Sequence, residues 1–202
     1  EIGSGLVGSE MCIRDRTSDD TDALERLKIQ YGTSMVYPVS SLGAHVSAAP
    51  NHQLLRNTPI ETRANVAYFG TFGYELDLNK LSMDEQIKVK EQITFMKDYR
   101  EIIQFGTFYR LKSPFEGNET VWMVVSQDQN TAIIGYYRTL QEVNVGYRRV
   151  KLLGLDPDKE YHVNLNNTVH YGDELMNLGL ITTDSSCGEN KEKYDGTNGD
   201  YL

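Results

Sequence analysis

Apolar positions along the chain change rhythm near residue 104. From Thr17 to about Gln104 they recur at helical spacing, interrupted by short apolar runs that contain glycine. The run Ser18-Asp19-Asp20-Thr21-Asp22 is dense in helix-start residues. Asp22 with Glu25 three positions on reads as a capping box, and Leu24, Leu27 and Tyr31 line one face of the helix that follows. Gly32 is expected to close that helix as its C′ residue. Met35 to Val46 is apolar and small, and the stretch ending in Gly43-Ala44-His45-Val46-Ser47 predicts a short buried strand. Ala49-Pro50-Asn51-His52 is a turn, and Pro59 sits where the first residue of another helix belongs. A further helix of about five or six turns is expected from Ser82 or Met83, with Ile87, Ile93, Met96 and Ile103 on its apolar stripe. Helix, short buried strand, helix is the unit of a parallel α/β sheet or barrel.

After Gln104 the period falls towards two. Phe105–Leu111, Thr120–Ser126, Thr131–Arg138, Arg149–Leu153 and Tyr161–Leu165 are short β-rich runs separated by turn clusters such as Glu116-Gly117-Asn118 and Leu155-Asp156-Pro157-Asp158. Strands at that spacing predict an antiparallel sandwich or barrel. The tail from Ser185 to Tyr201 is polar and glycine-rich and reads as a loop.

Composition narrows the function classes. The 202 residues carry 29 acidic against 20 basic side chains, a formal charge of -9, without a Lys/Arg cluster. Nucleic acid and anionic membrane are therefore poor partners. Two cysteines exclude a disulfide-dense scaffold. Residues 1–16, EIGSGLVGSEMCIRDR, lack the basic n-region and apolar core of a signal peptide and show no periodicity. They resemble a translated sequencing adaptor and are set aside as non-native, which removes Cys12 and leaves Cys187 without an internal partner. A cytoplasmic setting is the expectation.

Several stretches resemble glycoside hydrolase family 36, the bacterial-type α-galactosidases. They are Thr17-Ser18-Asp19-Asp20-Thr21-Asp22 running on to Ser34, Gly43-Ala44-His45-Val46-Ser47-Ala48-Ala49-Pro50-Asn51-His52-Gln53, and Thr71-Phe72-Gly73-Tyr74-Glu75-Leu76-Asp77. Tyr109-Arg110-Leu111, Ser113-Pro114-Phe115-Glu116-Gly117-Asn118, and Gly154-Leu155-Asp156 followed by Tyr161 continue the match. The resemblance implies the end of a catalytic (β/α)8 TIM barrel over 17–104, followed by a C-terminal antiparallel β-sandwich over 105–202 whose last strand is cut short.

It also implies a retaining glycosidase that hydrolyses terminal α-linked galactose from oligosaccharides, with no cofactor, no metal and a homo-oligomeric parent. The first Asp of Ser-Asp-x-Thr-Asp, here Asp19, is then the general acid/base and the substrate-binding residue. Read without the family, an Asp at a helix start is more often a cap, and that role is left to Asp22, with Asp20 as a partner of the helix dipole. The nucleophile of the family lies in a Lys-Trp-Asp motif that does not occur here, and no Cys-x-Gly-Gly-Gly precedes Asp19. This chain is thus expected to be inactive by itself. His45 and His52, seven residues apart, match no zinc spacing and read as packing or hydrogen-bonding groups, while His162 and His170 of the β-half read as ordinary strand histidines. Trp122, Tyr136 and Tyr137 read as packing aromatics. The alternative is a non-catalytic carbohydrate-binding or oligomerisation module carried by the β-half.

Overall fold

The computed structural model describes residues 18–140, 146 and 148–182. The adaptor-like segment 1–16 and the tail from Ser185 lie outside the described residues. The chain divides into two compact units, Glu1–Gln104 and Phe105–Leu202.

The first unit is a β-α-β arrangement flanked by two helices. Helix α1 (Ala23–Thr33) buries Ala23, Leu27 and Tyr31 together with Arg26 and Gln30. Gly32 does not end it as a C′ residue: Ser34 is the C-cap in right-handed conformation. Hydroxyls close this last turn instead, Thr33 Oγ1 donating to the Ile29 carbonyl at 2.7 Å and Ser34 Oγ to that of Tyr31 at 2.7 Å. Of the apolar stretch before Val46, only Gly43–Ser47 is strand (β1), because Val39–Ser41 forms a 3-10 turn that Pro38 precedes. Helix α2 (Ile60–Ala67) begins one residue after Pro59, which serves as its N-cap. The chain then returns through β2 (Thr71–Glu75), which pairs parallel to β1 with Gly43 opposite Thr71 and Ser47 opposite Glu75. This parallel pair with its crossover helix is the unit of a parallel α/β sheet or barrel that the hydrophobic rhythm predicts.

Helix α3 (Met83–Phe105) buries Val89, Gln92, Met96 and Ile103. Ile87 and Ile93, expected on its apolar stripe, are exposed at 53% and 36%. Hydrogen bonds and ring contacts set the rotation of this helix. Tyr74 Oη donates to Gln92 Oε1 at 2.9 Å, and Phe95 lies 4.6 Å from Tyr68 and 4.8 Å from Tyr99 between ring centroids.

In the second unit β3 (Thr107–Lys112), β4 (Glu119–Val125) and β5 (Ala132–Arg138) form an antiparallel sheet in that order. Two-stranded antiparallel pairs follow: β6 (Arg149–Val150) with β9 (Leu180–Ile181), and β7 (Glu160–Val163) with β8 (Thr168–Tyr171). The short helix α4 (Gly172–Asn177) lies between β8 and β9 in the chain. All seven residues of β4 are buried. Val121, Met123 and Val125 face a core completed by Val150, Leu152, Leu155, Leu175 and Leu180. The alternate residue Trp122, 1% exposed, packs with Phe108 and with Tyr137, its ring centroid 5.2 Å from that of Tyr137. The three aromatics Trp122, Tyr136 and Tyr137 are therefore interior groups. The Gly154-Leu155-Asp156…Tyr161 pattern has a geometric reason. Gly154 is at φ +71°, where an added Cβ would sit 2.3 Å from Tyr109 Oη. Tyr161 Oη donates to the Gln129 carbonyl at 2.6 Å and accepts from Asp156 N–H at 2.9 Å.

One buried carboxylate organises the end of this sheet. Glu119 accepts from Lys112 Nζ, from Tyr136 Oη at 2.6 Å and from Arg148 Nη1 at 2.6 Å. Burial pushes its pKa up, but these hydrogen bonds outweigh it and bring the carboxyl from 4.5 down to about 2. The folded pKa lies below the unfolded one, so Glu119 contributes stability that is complete above about pH 4.5 and is lost as the pH falls towards 2. Trp122 is the chain's single tryptophan and reports on this unit alone. Its fluorescence is expected to show unit unfolding promoted by acid across that window. Glu119→Gln should lower stability at neutral pH by about 3 kcal/mol and flatten the acid dependence, because it strands the cations around a neutral amide. An unchanged acid transition in the variant would contradict this assignment.

Candidate functional site

The loop before α1 is assembled from alternate residues. Ser18 Oγ accepts from Asp20 N–H at 3.0 Å, and Asp20 Oδ1 accepts from Asp22 N–H at 2.9 Å. Asp22 Oδ2 accepts from Leu24 and Glu25 N–H, both at 3.1 Å, which makes Asp22 the N-cap of α1. Asp22 is 2% exposed and ion-paired to Arg56. Thr21 is fixed from the far side: its carbonyl accepts from Ser47 Oγ at 3.0 Å, and its Oγ1 from Asn51 Nδ2 at 3.1 Å. The end of β1, the turn after it and the helix start thus hold one short loop, and Asp19 is the exposed residue of that loop.

A cavity of about 390 Å³ opens beside Asp19. Ser18, Asp19 and Thr21 form one wall with Arg26 of α1. His45 of β1, His52 and Gln53 of the following turn, and Glu75 at the end of β2 form the other. His45 and Glu75 share the cavity because of strand register. Gly73 lies opposite His45 and Ser47 opposite Glu75, so all four project from one face of the parallel pair. Ala44 and Val46, both fully buried, occupy the opposite face. At Gly73 an added Cβ would come within 2.9 Å of His45 Cδ2, so a larger residue there would have to displace the imidazole.

Arg26 is a buried cation within this group, with 5% exposure, and Nη2 donates to the Gly43 carbonyl. Burial lowers its pKa to about 10, against the pull of Asp20 and Glu75. It therefore stays charged at neutral pH and supplies positive potential beside two carboxylates. Although the cavity gathers His45 and His52 with Asp19 and Glu75, no set of three or more such groups could hold a metal ion among the described residues. The arrangement suits proton transfer and hydrogen bonding to a polar, hydroxyl-rich ligand.

Of the residues singled out from sequence, Asp19 lies at the cavity, Asp22 caps the helix and Asp20 braces the loop. His45 and His52, expected as packing or hydrogen-bonding groups, both line the cavity. Arg26, Gln53, Arg56 and Glu75 were not apparent. Arg26 sits beside Leu27 on the buried face of α1, where an arginine is not expected without a partner. His162 and His170 belong to the second unit. His170 Nδ1 lies 2.9 Å from Glu174 Oε1, and His162 Nε2 lies 2.8 Å from Asn167 Oδ1, so both serve local hydrogen bonds.

Two family models match the chain. The family model described as Melibiase matches residues 9–106, beginning inside the stretch 1–16, and the glycosyl hydrolase family 36 C-terminal domain matches residues 119–201. Alpha-galactosidase AgaA of Geobacillus stearothermophilus is 54% identical over 164 residues, covering 81% of this chain and 22% of that protein. The crystal structure of the GH36 alpha-galactosidase AgaB from the same organism matches with a TM-score of 0.81 at 52% identity, over 84% of this chain and 23% of that one. A substituted AgaA in complex with raffinose matches with a TM-score of 0.80 at 51% identity, with the same coverage of 84% and 23%. The chain thus spans about a fifth of the length of the relatives it matches.

The two carboxylates of the loop are expected to separate cleanly by stability. Asp22→Ala should cost about 2 kcal/mol in urea denaturation, because it removes the cap of α1. Asp19→Asn should stay within about 0.5 kcal/mol of the parent. Equal losses in the two variants would contradict the division of roles.

Proposed function

The chain belongs to glycoside hydrolase family 36, and from that premise we propose that it is the segment of a retaining α-galactosidase carrying the general acid/base, Asp19. Residues 17–104 are then the C-terminal part of the catalytic (β/α)8 barrel, and 105–202 an antiparallel β-sandwich. Residues 1–16 are read as an adaptor-like, non-native stretch. The observation that carries this reading is the placement of Asp19. It stands exposed in a cavity at the C-terminal ends of parallel strands, while Asp22 does the capping. Active sites of barrel enzymes occupy that end of the sheet.

The chemistry follows from what such a carboxyl can do. In the first step the protonated Asp19 gives its proton to the glycosidic oxygen as the bond to the anomeric carbon breaks. A second carboxylate attacks that carbon, and the leaving sugar departs with the proton. In the second step the Asp19 carboxylate takes a proton from water as the water attacks the anomeric carbon, which frees galactose and the nucleophile. The nucleophile is assigned to the Lys-Trp-Asp motif of the family, which is absent from these 202 residues. Glu75, the other carboxylate of the cavity, is not given that role.

The substrates proposed are oligosaccharides with a terminal α-linked galactose, a choice supported by the raffinose bound to a relative. The reaction uses no cofactor or metal, and the parent is a homo-oligomer of the cytoplasm. No helix among the described residues is long and apolar enough to cross a membrane. The alternative of a non-catalytic carbohydrate-binding or oligomerisation module gains no support from Trp122, Tyr136 and Tyr137, which are interior.

The purified 202-residue chain is expected to release no galactose from 4-nitrophenyl α-galactoside. The full-length enzyme that carries this segment should do so, and Asp19→Asn there should lower kcat/KM for raffinose by about 10²- to 10⁴-fold. Turnover by the chain alone would overturn the assignment of the nucleophile, and full activity of the variant would overturn that of Asp19.

A further inference from the structure

The turn that follows β1 is built more tightly than a surface turn needs. Asn51, 4% exposed, accepts at Oδ1 from Gln53 and Leu54 N–H, both at 2.9 Å. Its own N–H donates to the Arg56 carbonyl at 2.8 Å, and its carbonyl accepts from Leu55 N–H at 2.9 Å. Leu55 is held at φ +55°, a left-handed conformation that costs a leucine energy and persists only where surrounding bonds enforce it. The turn is then tied twice to the loop of Asp19, through Asn51 to Thr21 at 3.1 Å and through Arg56 to Asp22. His52 and Gln53, both exposed side chains of this turn, line the cavity that Asp19 enters. Their position relative to Asp19 is fixed by these bonds.

We propose that His52 and Gln53 form the recognition site for the leaving group, the sugar that departs when Asp19 protonates the glycosidic oxygen. This rests on the reading of Asp19 as general acid. An acid touches the oxygen that joins the two sugars, so groups sharing its cavity lie along the substrate on one side or the other. A terminal galactose occupies the closed end of the site, and the remainder of the oligosaccharide must extend towards solvent. Within this segment Arg26 is the buried residue of the cavity lining, and His52 and Gln53 are exposed residues of it that follow the C-terminal end of β1. An imidazole and an amide both donate and accept hydrogen bonds, as neighbouring sugar hydroxyls require. Asn51 is the positioning residue of this site.

The test compares two leaving groups in the full-length enzyme that carries this segment. Kinetics are measured for raffinose, whose leaving group is a sugar, and for 4-nitrophenyl α-galactoside, whose leaving group is a phenol. In His52→Ala and Gln53→Ala the ratio of kcat/KM for raffinose to that for the aryl substrate should fall about tenfold, the size expected for loss of a hydrogen bond worth about 1.4 kcal/mol. A ratio within about twofold of the parent in both variants overturns the proposal, and so does an equal fall on both substrates, which reports general damage. Asp19→Asn serves as the separate control. Its full activity would defeat the reading of Asp19, whereas its inactivity with an unchanged ratio in the other variants would defeat this inference alone.

Discussion

Asp22 holds a carboxylate almost entirely out of water at the start of α1, and the shape of the cavity depends on that one group. Burying an unpaired charge is costly. Here the cost is offset by two backbone N–H donors at the positive end of the helix and by the Arg56 guanidinium. Oδ1 has no hydrogen-bond partner among the described residues, so these contacts through Oδ2 are what stabilise it. Asp22 and Arg56 therefore act as one unit that joins the loop of Asp19 to the turn of His52 and Gln53. Asn51 and Ser47 add neutral hydrogen bonds to the same junction.

The parallel strands supply the other half of the construction. Because successive side chains alternate across a strand, β1 sends Ala44 and Val46 into the apolar interior and His45 to the cavity side. On β2, Phe72 and Tyr74 join the aromatic contacts of Tyr68, while Gly73 and Glu75 fall on the face of His45. One pair of short strands thus separates a packing face from a chemical face, and Gly73 keeps the chemical face open enough for an imidazole.

Much of this was legible in the sequence where local rules dominate. The cap at Asp22 is a local signal, as is the change of period near residue 104. The runs that became β3, β4 and β5 carry enough β-branched and aromatic residues to be placed within about two positions. The remainder depended on tertiary partners. β2 was not apparent as a strand because Gly73 interrupts its pattern and its pairing with β1 is a contact distant in sequence. The buried face of α3 differs from the predicted stripe because Gln92 is buried in preference to Ile87. Gln92 bonds Tyr74 Oη, a partner invisible to a count of apolar residues. Glu75 carries no local signal either: strand register brings it to the cavity of His45 and Asp19.

The role proposed for Asp19, acid and then base of a retaining hydrolysis, has a direct chemical test. In the full-length enzyme, Asp19→Ala is assayed on 4-nitrophenyl α-galactoside with and without added azide. The phenol leaves without a general acid, and the covalent intermediate then waits for a base that the variant lacks. Azide attacks without needing one. Azide is expected to restore turnover and to give galactosyl azide of retained α configuration. No rescue, or a β-configured azide, would contradict it.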